Sequence, residues 1–409
     1  MKSLPARGNP TETKTAVPAE ATSDHVRASE LMARYRRLKQ DCKLGWRTQF
    51  DDLALIGKGG QGVVFRSSWH GADGFSKPVA LKVFSPEIYF SPRDYEWDMA
   101  RVARDAARVA EIQQDHLLDV HNFIEQDGIR VMLMEWIDGY DLKCLLGNGM
   151  LEEMREHVDR VRWNHLNDVV IAEGAKRSRL KPGIAIQILR ECLMGLAALH
   201  RAGLAHGDIK PANIMLKRTG NVKLVDFGTT VDLVNPGMRI AWTPTYAAPE
   251  VLDGKPNTAR SDLASLGYVF VEMLSGEVLF DSKSSIQQLL EAKHALPRRL
   301  GSILPADVLR DRELTELCRN IIEPDPTRRV GSAEEANLKW AANVHRRLVK
   351  TGLDSDYEND IRVWMEALPI EAIEAVDAEI DADTKKLAPA AAAGSDLLPA
   401  FLGDSTILV

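Results

Sequence analysis

Four side chains within a stretch of nineteen residues carry the chemistry this sequence can do. Asp208, Lys210 and Asn213 lie in the run His206-Gly-Asp-Ile-Lys-Pro-Ala-Asn-Ile-Met215, and Asp226 belongs to Val225-Asp-Phe-Gly228. A carboxylate at Asp208 can take a proton from an attacking hydroxyl, and the ammonium of Lys210 can balance charge on a transferred phosphate. Asn213 and Asp226 supply the oxygen ligands that a hard cation such as Mg²⁺ prefers. The set reads as a phosphoryl-transfer centre. Its flanks say how it is held: Leu193-Met-Gly-Leu-Ala-Ala-Leu-His200 has helical spacing, and Val222 to Val225 is a short β-type run. The polar groups therefore sit on a loop between buried elements.

A second constellation lies upstream. Ile56-Gly-Lys-Gly-Gly-Gln-Gly-Val-Val-Phe65 places glycines at Gly57, Gly59 and Gly62 in a strand-turn-strand pattern, where backbone amides can approach phosphates because no Cβ intrudes. Val79-Ala-Leu-Lys82 follows as a further strand ending on a lysine, and no Gly-Lys-Ser/Thr follows the loop, which removes the P-loop alternative.

Taken in order, these segments resemble the eukaryotic-type (Hanks-type) protein kinases of the Ser/Thr branch, in a His-Gly-Asp variant. The resemblance runs over residues 50 to 340. It implies an α+β, bilobal fold with a small β-rich N-lobe (49–135), a larger helical C-lobe (136–345) and helical extensions, and it implies ATP and Mg²⁺ as cofactors. It gives Asp208 the role of catalytic base, Lys210 that of neutralising the γ-phosphate, Asn213 and Asp226 the metal, and Lys82 the α- and β-phosphates.

The acidic partner of Lys82 has three candidates in the next helical segment, Glu96, Asp105 and Glu111. Register favours Asp105, because Arg104-Asp-Ala106 stands where the family has Arg-Glu-Ala. An Asp is one methylene shorter than a Glu, so that pair is expected to be long or to need an inward movement of the helix. Arg130-Val-Met-Leu-Met-Glu-Trp-Ile-Asp-Gly139 resembles the hinge, with Met134 as gatekeeper and backbone groups of Glu135 and Ile137 on the adenine edge. The same resemblance places Ile56, Val64, Ala80 and Met215 around the adenine ring and Asp141 at the ribose.

Trp242-Thr-Pro-Thr-Tyr-Ala-Ala-Pro-Glu250 resembles the segment that presents peptide substrates, with Trp242 in place of a glycine and Thr243 as the hydroxyl that bonds the catalytic Asp and Lys. Asp262 corresponds to a buried acid that braces the catalytic loop. Arg329, in Asp325-Pro-Thr-Arg-Arg329, corresponds to the partner of Glu250. Gly207 replaces the arginine that usually receives an activation-loop phosphate, and Asp232 after Thr229 and Thr230 adds a further acid. Loop phosphorylation is therefore expected to be dispensable.

The remaining chain is less patterned. With 409 residues, 45% hydrophobic and 27% charged, the composition is that of a globular protein larger than one average domain. A formal charge of −7 argues against nucleic acid as a partner. Cys42, Cys144, Cys192 and Cys318 form no paired framework and imply a reducing compartment. No apolar run approaches the ~20 residues of a membrane span, so the expected location is cytoplasmic. Residues 1–27 read as a disordered tail and 28–48 as a basic amphipathic helix carrying Leu31, Tyr35 and Leu38. Within the insertion 147–182, Leu151, Met154, Val158, Val161, Leu166 and Val169 predict one helix of about five turns, then a basic loop from Lys176 to Arg179. Residues 346–409 form an acidic, Ala-rich extension.

The expected activity is transfer of a γ-phosphate to Ser or Thr hydroxyls of protein substrates, including the protein itself. A regulatory protein could dock on 28–48, 147–182 or 350–409. The competing readings are a catalytically weak pseudokinase or scaffold, suggested by Asp105 and Gly207, and an interaction module acting through the insertion and tails. A small-molecule kinase of the aminoglycoside type shares His-Gly-Asp but lacks Lys210 and the Ala-Pro-Glu segment.

Overall fold

The computed structural model describes residues 19–41, 50, 53–174, 176–235, 243–351 and 356–368. Its N-terminal lobe is a five-stranded antiparallel sheet of order β1-β2-β3-β5-β4, built from β1 (Ala54–Gly59), β2 (Gly62–His70), β3 (Ser76–Phe84), β4 (Val120–Gln126) and β5 (Ile129–Glu135). The alternation of side chains along β3 decides what each face does. Val79, Leu81 and Val83 join one cluster with Val63, Phe65, Val131 and Leu133, while Ala80 and Phe84 join the main core with Val64, Met132 and Met134. Lys82 shares the second face, toward the cleft. A slip of one residue would turn Lys82 away from the site.

The first face is apolar and needs a cover, and helix α1 (Ala19–Asp41) supplies it. Tyr35 is 1% exposed against that face, with Leu31 and Leu38 beside it. Arg34 Nη1 donates to the Asp127 carbonyl at 3.2 Å, tying the helix to the β4–β5 turn. The helix starts nine residues before the expected Ala28, so residues 19–27 are helical rather than part of a disordered tail. Its apolar side is used inside the protein. Helix α2 (Pro92–Ala110) packs on the other face, capped by Ser91, whose Oγ accepts from Asp94 N at 3.2 Å.

The larger lobe begins with β6 (Gly139–Asp141) and the short α3 (Leu142–Leu145). The expected five-turn helix of the insertion is two helices, α4 (Asn148–His157) and α5 (Arg160–Val169). Asp159 breaks it: its Oδ1 accepts from the amides of Val161 and Arg162 at 2.9 Å each, an N-cap that starts a new helix. Val161, assigned to the apolar stripe, is 80% exposed, whereas Leu166 is buried. The expected basic loop is the turn and second strand of the hairpin β7 (Ile171–Glu173) and β8 (Ser178–Leu180).

Helix α6 (Pro182–Arg201) is the centre of this lobe. It is long and apolar enough to cross a membrane, which corrects the expectation from apolar runs, but most of it is buried within the lobe. Strands β9 (Leu204–Ala205), β10 (Ile214–Lys217), β11 (Val222–Leu224) and β12 (Val231–Asp232) frame the catalytic stretch. Helices α7 (Pro249–Leu252), α8 (Ala259–Ser275) and α9 (Ile286–Ile303) follow. The last described helix, Tyr357–Ala367, lies against α5 and α6. Arg162 donates to the Val363 carbonyl at 2.8 Å, and Arg218 to that of Met365 at 2.9 Å. Of the acidic, Ala-rich extension expected over 346–409, residues 352–355 and 369–409 lie outside the described residues, as does Cys42.

Two consequences can be measured. Tyr35→Ala empties a packed site and should cost ~3–5 kcal/mol in denaturant unfolding, while Val161→Ala should stay within about 0.5 kcal/mol; equal effects would contradict the placement of α1. Asp141 is wholly buried, accepts from Cys144 N at 2.8 Å as the cap of α3, and burial raises its pKa to about 7. The folded state then holds a proton that the unfolded chain has released, so this group's contribution to stability is full below the unfolded value near 4 and is lost as pH rises toward 7. Asp141→Asn keeps the cap acceptor and should raise the midpoint at pH 8 relative to the parent, with the difference vanishing near pH 4.

Candidate active site

The catalytic loop hangs from one carboxylate. Asp262, buried on α8, accepts from the amide of His206 through Oδ2 and of Gly207 through Oδ1, both at 2.8 Å, and its Oδ2 lies 2.9 Å from His200 Nε2. Burial pushes the Asp262 pKa up, but these partners outweigh it and hold the group below the usual carboxylate range. Gly207 has φ +81, where a side chain is strained, so glycine suits this turn. The brace expected at Asp262 is therefore present in the geometry.

Beyond the turn, the sequence-assigned groups converge. Asp208 Oδ2 is 3.1 Å from Lys210 Nζ and 3.3 Å from Asn213 Nδ2, and its Oδ1 accepts from Thr243 N at 3.2 Å. Lys210 Nζ donates to Thr243 Oγ1 at 3.2 Å. Thr243 thus bonds both groups, reaching Lys210 through its hydroxyl as expected and Asp208 through its backbone amide. Asn213 is 1% exposed; its Nδ2 donates to the Asp208 carbonyl at 2.7 Å, and its Oδ1 is buried without a hydrogen-bond partner among the described residues. Asp226 has φ +67, a strained backbone for a residue with a side chain.

Lys82 is not paired as expected. Its Nζ donates to Asp226 Oδ1 at 2.5 Å and to Gln61 Oε1 at 2.8 Å. Asp105 instead accepts from Arg101 Nη1 at 3.1 Å, one helical turn away, because the shorter side chain finds its cation on its own helix. Glu96 and Glu111 are exposed, while Asp98, which sequence reasoning passed over, is buried between Arg101 Nε at 2.8 Å and Tyr89 OH at 2.6 Å. Burial raises the Asp226 pKa, and the Lys82 charge more than reverses this, leaving the group ionised. Gln61 was also missed; the only signal was a long polar side chain among loop glycines. At the loop itself, Gly62 has φ +149, and a Cβ there would meet the Val83 carbonyl at 2.0 Å.

Ile56, Val64, Ala80, Met134, Ile137 and Met215 belong to one buried cluster that joins the lobes at the hinge. The Glu135 amide donates to the Asp119 carbonyl at 2.9 Å, and its carboxylate pairs with Lys223. Asp141, expected at the ribose, ends β6 near the hinge and is wholly buried.

The segment after the metal turn is fastened to α2. Arg101 donates to the carbonyls of Thr230 at 3.0 Å and Gly228 at 3.4 Å, and Arg108 Nη1 pairs with Asp232 Oδ2 at 2.7 Å. Thr230 is buried, with its hydroxyl on the Phe227 carbonyl at 2.8 Å, and the Thr229 hydroxyl reaches the His206 carbonyl at 3.4 Å. Trp242 lies outside the described residues. Farther along, Arg329 grips Glu250 with two hydrogen bonds of 2.7 and 3.0 Å, as expected. Lys293, also unanticipated, is wholly buried under the Phe280 and Tyr268 rings and donates to the Thr245 carbonyl at 2.6 Å.

Comparison with known proteins agrees with this geometry. A sequence model of the protein kinase domain matches residues 50–341. The chain is 28% identical over 294 residues to the serine/threonine-protein kinase PknA of Corynebacterium glutamicum, covering 70% of this chain and 55% of that protein. It is 25% identical over 310 residues to PrkC of Bacillus subtilis, covering 73% and 41% respectively. It is 28% identical over 244 residues to PknD of Mycobacterium tuberculosis, covering 59% and 31%. The chain spans at most about half the length of these relatives. With most of its length matched and the catalytic groups assembled on a two-lobed frame, the chain belongs to the protein kinase family.

Proposed function

We propose that this protein transfers the γ-phosphate of ATP to Ser and Thr hydroxyls of proteins. The observation that carries this reading is the bridge of Thr243 between Asp208 and Lys210, which fixes a base and a cation at one point beside the substrate-presenting segment. The kinships to serine/threonine-protein kinases support it. The donor set fits Mg²⁺: the unpartnered Asn213 Oδ1 and the ionised Asp226 are hard oxygen ligands, and a cation held there would neutralise phosphate charge. Asp208 orients the acceptor hydroxyl and takes its proton, and Lys210 offsets charge on the group in transfer. The amides of the Gly57–Gly62 loop and Lys82 bind the phosphates. An adenine contact at Glu135 is confined to its carbonyl, since its amide is already donated.

The weak-kinase alternative rested on Asp105 and Gly207. Gly207 is explained by its backbone conformation and its bond to Asp262 rather than by a lost site. Asp105 serves through Arg101, which holds the start of the activation segment. The Arg108–Asp232 pair does between two side chains what a phosphate and an arginine do in a phosphorylation-switched loop.

Asp208→Ala should reduce phosphoryl transfer by ~10²–10⁴ in kcat while nucleotide affinity, read by calorimetry with Mg²⁺, stays within a few-fold. Asp226→Ala should abolish Mg²⁺-dependent nucleotide affinity; equal loss in both variants would contradict the separate roles. Enzyme treated with phosphatase should keep most of its initial rate. A collapse of that rate, restored on rephosphorylation, would overturn the assignment of Asp232 as the built-in anchor.

A further inference from the structure

Helix α9 turns one stripe of side chains inward, Leu289, Lys293, Leu296 and Leu300, and the second of them is a lysine. Packing does not call for a cation there. A leucine or methionine would complete the stripe without the desolvation cost of a buried ammonium, and among the described residues no carboxylate pairs with Lys293. Burial pushes its pKa well below the ordinary lysine value, and the charge of Glu272 offsets only part of that.

The ammonium meets a cradle of two rings and one carbonyl. Its Nζ lies 3.8 Å from the centroid of Phe280 and 4.2 Å from that of Tyr268, two rings set edge to face with centroids 5.1 Å apart. From this cradle it donates to the Thr245 carbonyl at 2.6 Å. Thr245 belongs to the substrate-presenting segment. Its own hydroxyl is buried without a hydrogen-bond partner among the described residues, and Lys293 is the polar partner that holds it. The turn around Thr245 is short and bonded within itself: the amides of Tyr246 and Ala247 both donate to the Thr243 carbonyl, at 3.1 and 3.0 Å. Thr243 in turn holds Asp208 through its amide and Lys210 through its hydroxyl. An anchor on α9 is thereby joined through one turn to the two charged groups of the transfer site.

We propose that Lys293 is a positioning residue for the acceptor: by holding the Thr245 carbonyl it sets the backbone of the substrate-presenting segment, and with it the fit of an incoming Ser or Thr polypeptide. The proposal rests on the protein kinase reading given above. It separates stability from function at a single residue, since removing a buried cation relieves the fold while it frees the segment.

The test compares the full chain as wild type and as Lys293→Met, which keeps the length and the apolar stem of the side chain and removes the ammonium. Three quantities are read: the labelling rate of a Ser/Thr peptide library at subsaturating concentration with radiolabelled ATP and Mg²⁺, which reports kcat/KM; nucleotide affinity by calorimetry; and the thermal unfolding midpoint. Lys293→Met should lower the library rate by about tenfold, through misplacement of the acceptor. Nucleotide affinity should stay within a factor of about two, and the midpoint should hold or rise. An unchanged library rate overturns the proposal. So does a loss of rate accompanied by a lower midpoint or by an equal loss of nucleotide affinity, because the lysine then serves the fold alone. Both of those results leave the kinase reading in place. If wild type labels neither the library nor general protein acceptors, the kinase reading itself fails and the proposal with it.

Discussion

Asp262 is the point on which the transfer site depends. A wholly buried carboxylate is costly unless its oxygens are bonded, and here two loop amides and an imidazole meet that need. The consequence is directional. Because the amides of His206 and Gly207 must point at α8, the next side chain, Asp208, is turned toward Lys210, Thr243 and Asn213. His206 reinforces the turn, with its Nε2 2.9 Å from the Val225 carbonyl and its ring against Phe227. Asp208 and Asp226 are thereby fixed relative to each other by hydrogen bonds from the same short loop.

The second dependence runs through α2. Its arginines reach across to the segment after Asp226, and its carboxylates are spent on those arginines rather than on Lys82. Lys82 consequently rests on Asp226 and Gln61. Under the proposed function, nucleotide phosphates entering the cleft would compete with these two acceptors for the same ammonium. Helix α1 covers the opposite face of the sheet, and that face is defined by the same β3 alternation that points Lys82 inward. The N-terminal helix and Lys82 are thus linked by the pleat of one strand.

The parts of the site legible in the sequence are those whose chemistry is local or whose spacing is rigid. The loop from His206 to Asn213, the glycine turn and Asp226 are contiguous, so residue types alone expose them. Thr243, Asp262 and the Glu250–Arg329 pair were reachable through family resemblance. The misses share a different physics. Asp105, Asp98 and Arg101 compete for partners on one helix face, and register cannot say which cation wins. Asp159 did carry a readable signal, since an Asp immediately before a helical run is an N-cap, but the apolar spacing across it masked the break. Lys293 drew no reading from the sequence and Arg177 only that of a basic loop, and only the fold shows that one lies beneath aromatic rings and the other over Glu272.

The most direct test of this account is the initial rate at which purified, phosphatase-treated protein moves label from [γ-³²P]ATP onto a protein acceptor in the presence of Mg²⁺, with the labelled amino acids identified after hydrolysis. A site already assembled on Asp262 predicts immediate transfer to Ser and Thr, without a lag and without label on Tyr. Label no greater than in an Asp208→Ala control, or a rate that appears only after prior phosphorylation, would contradict it.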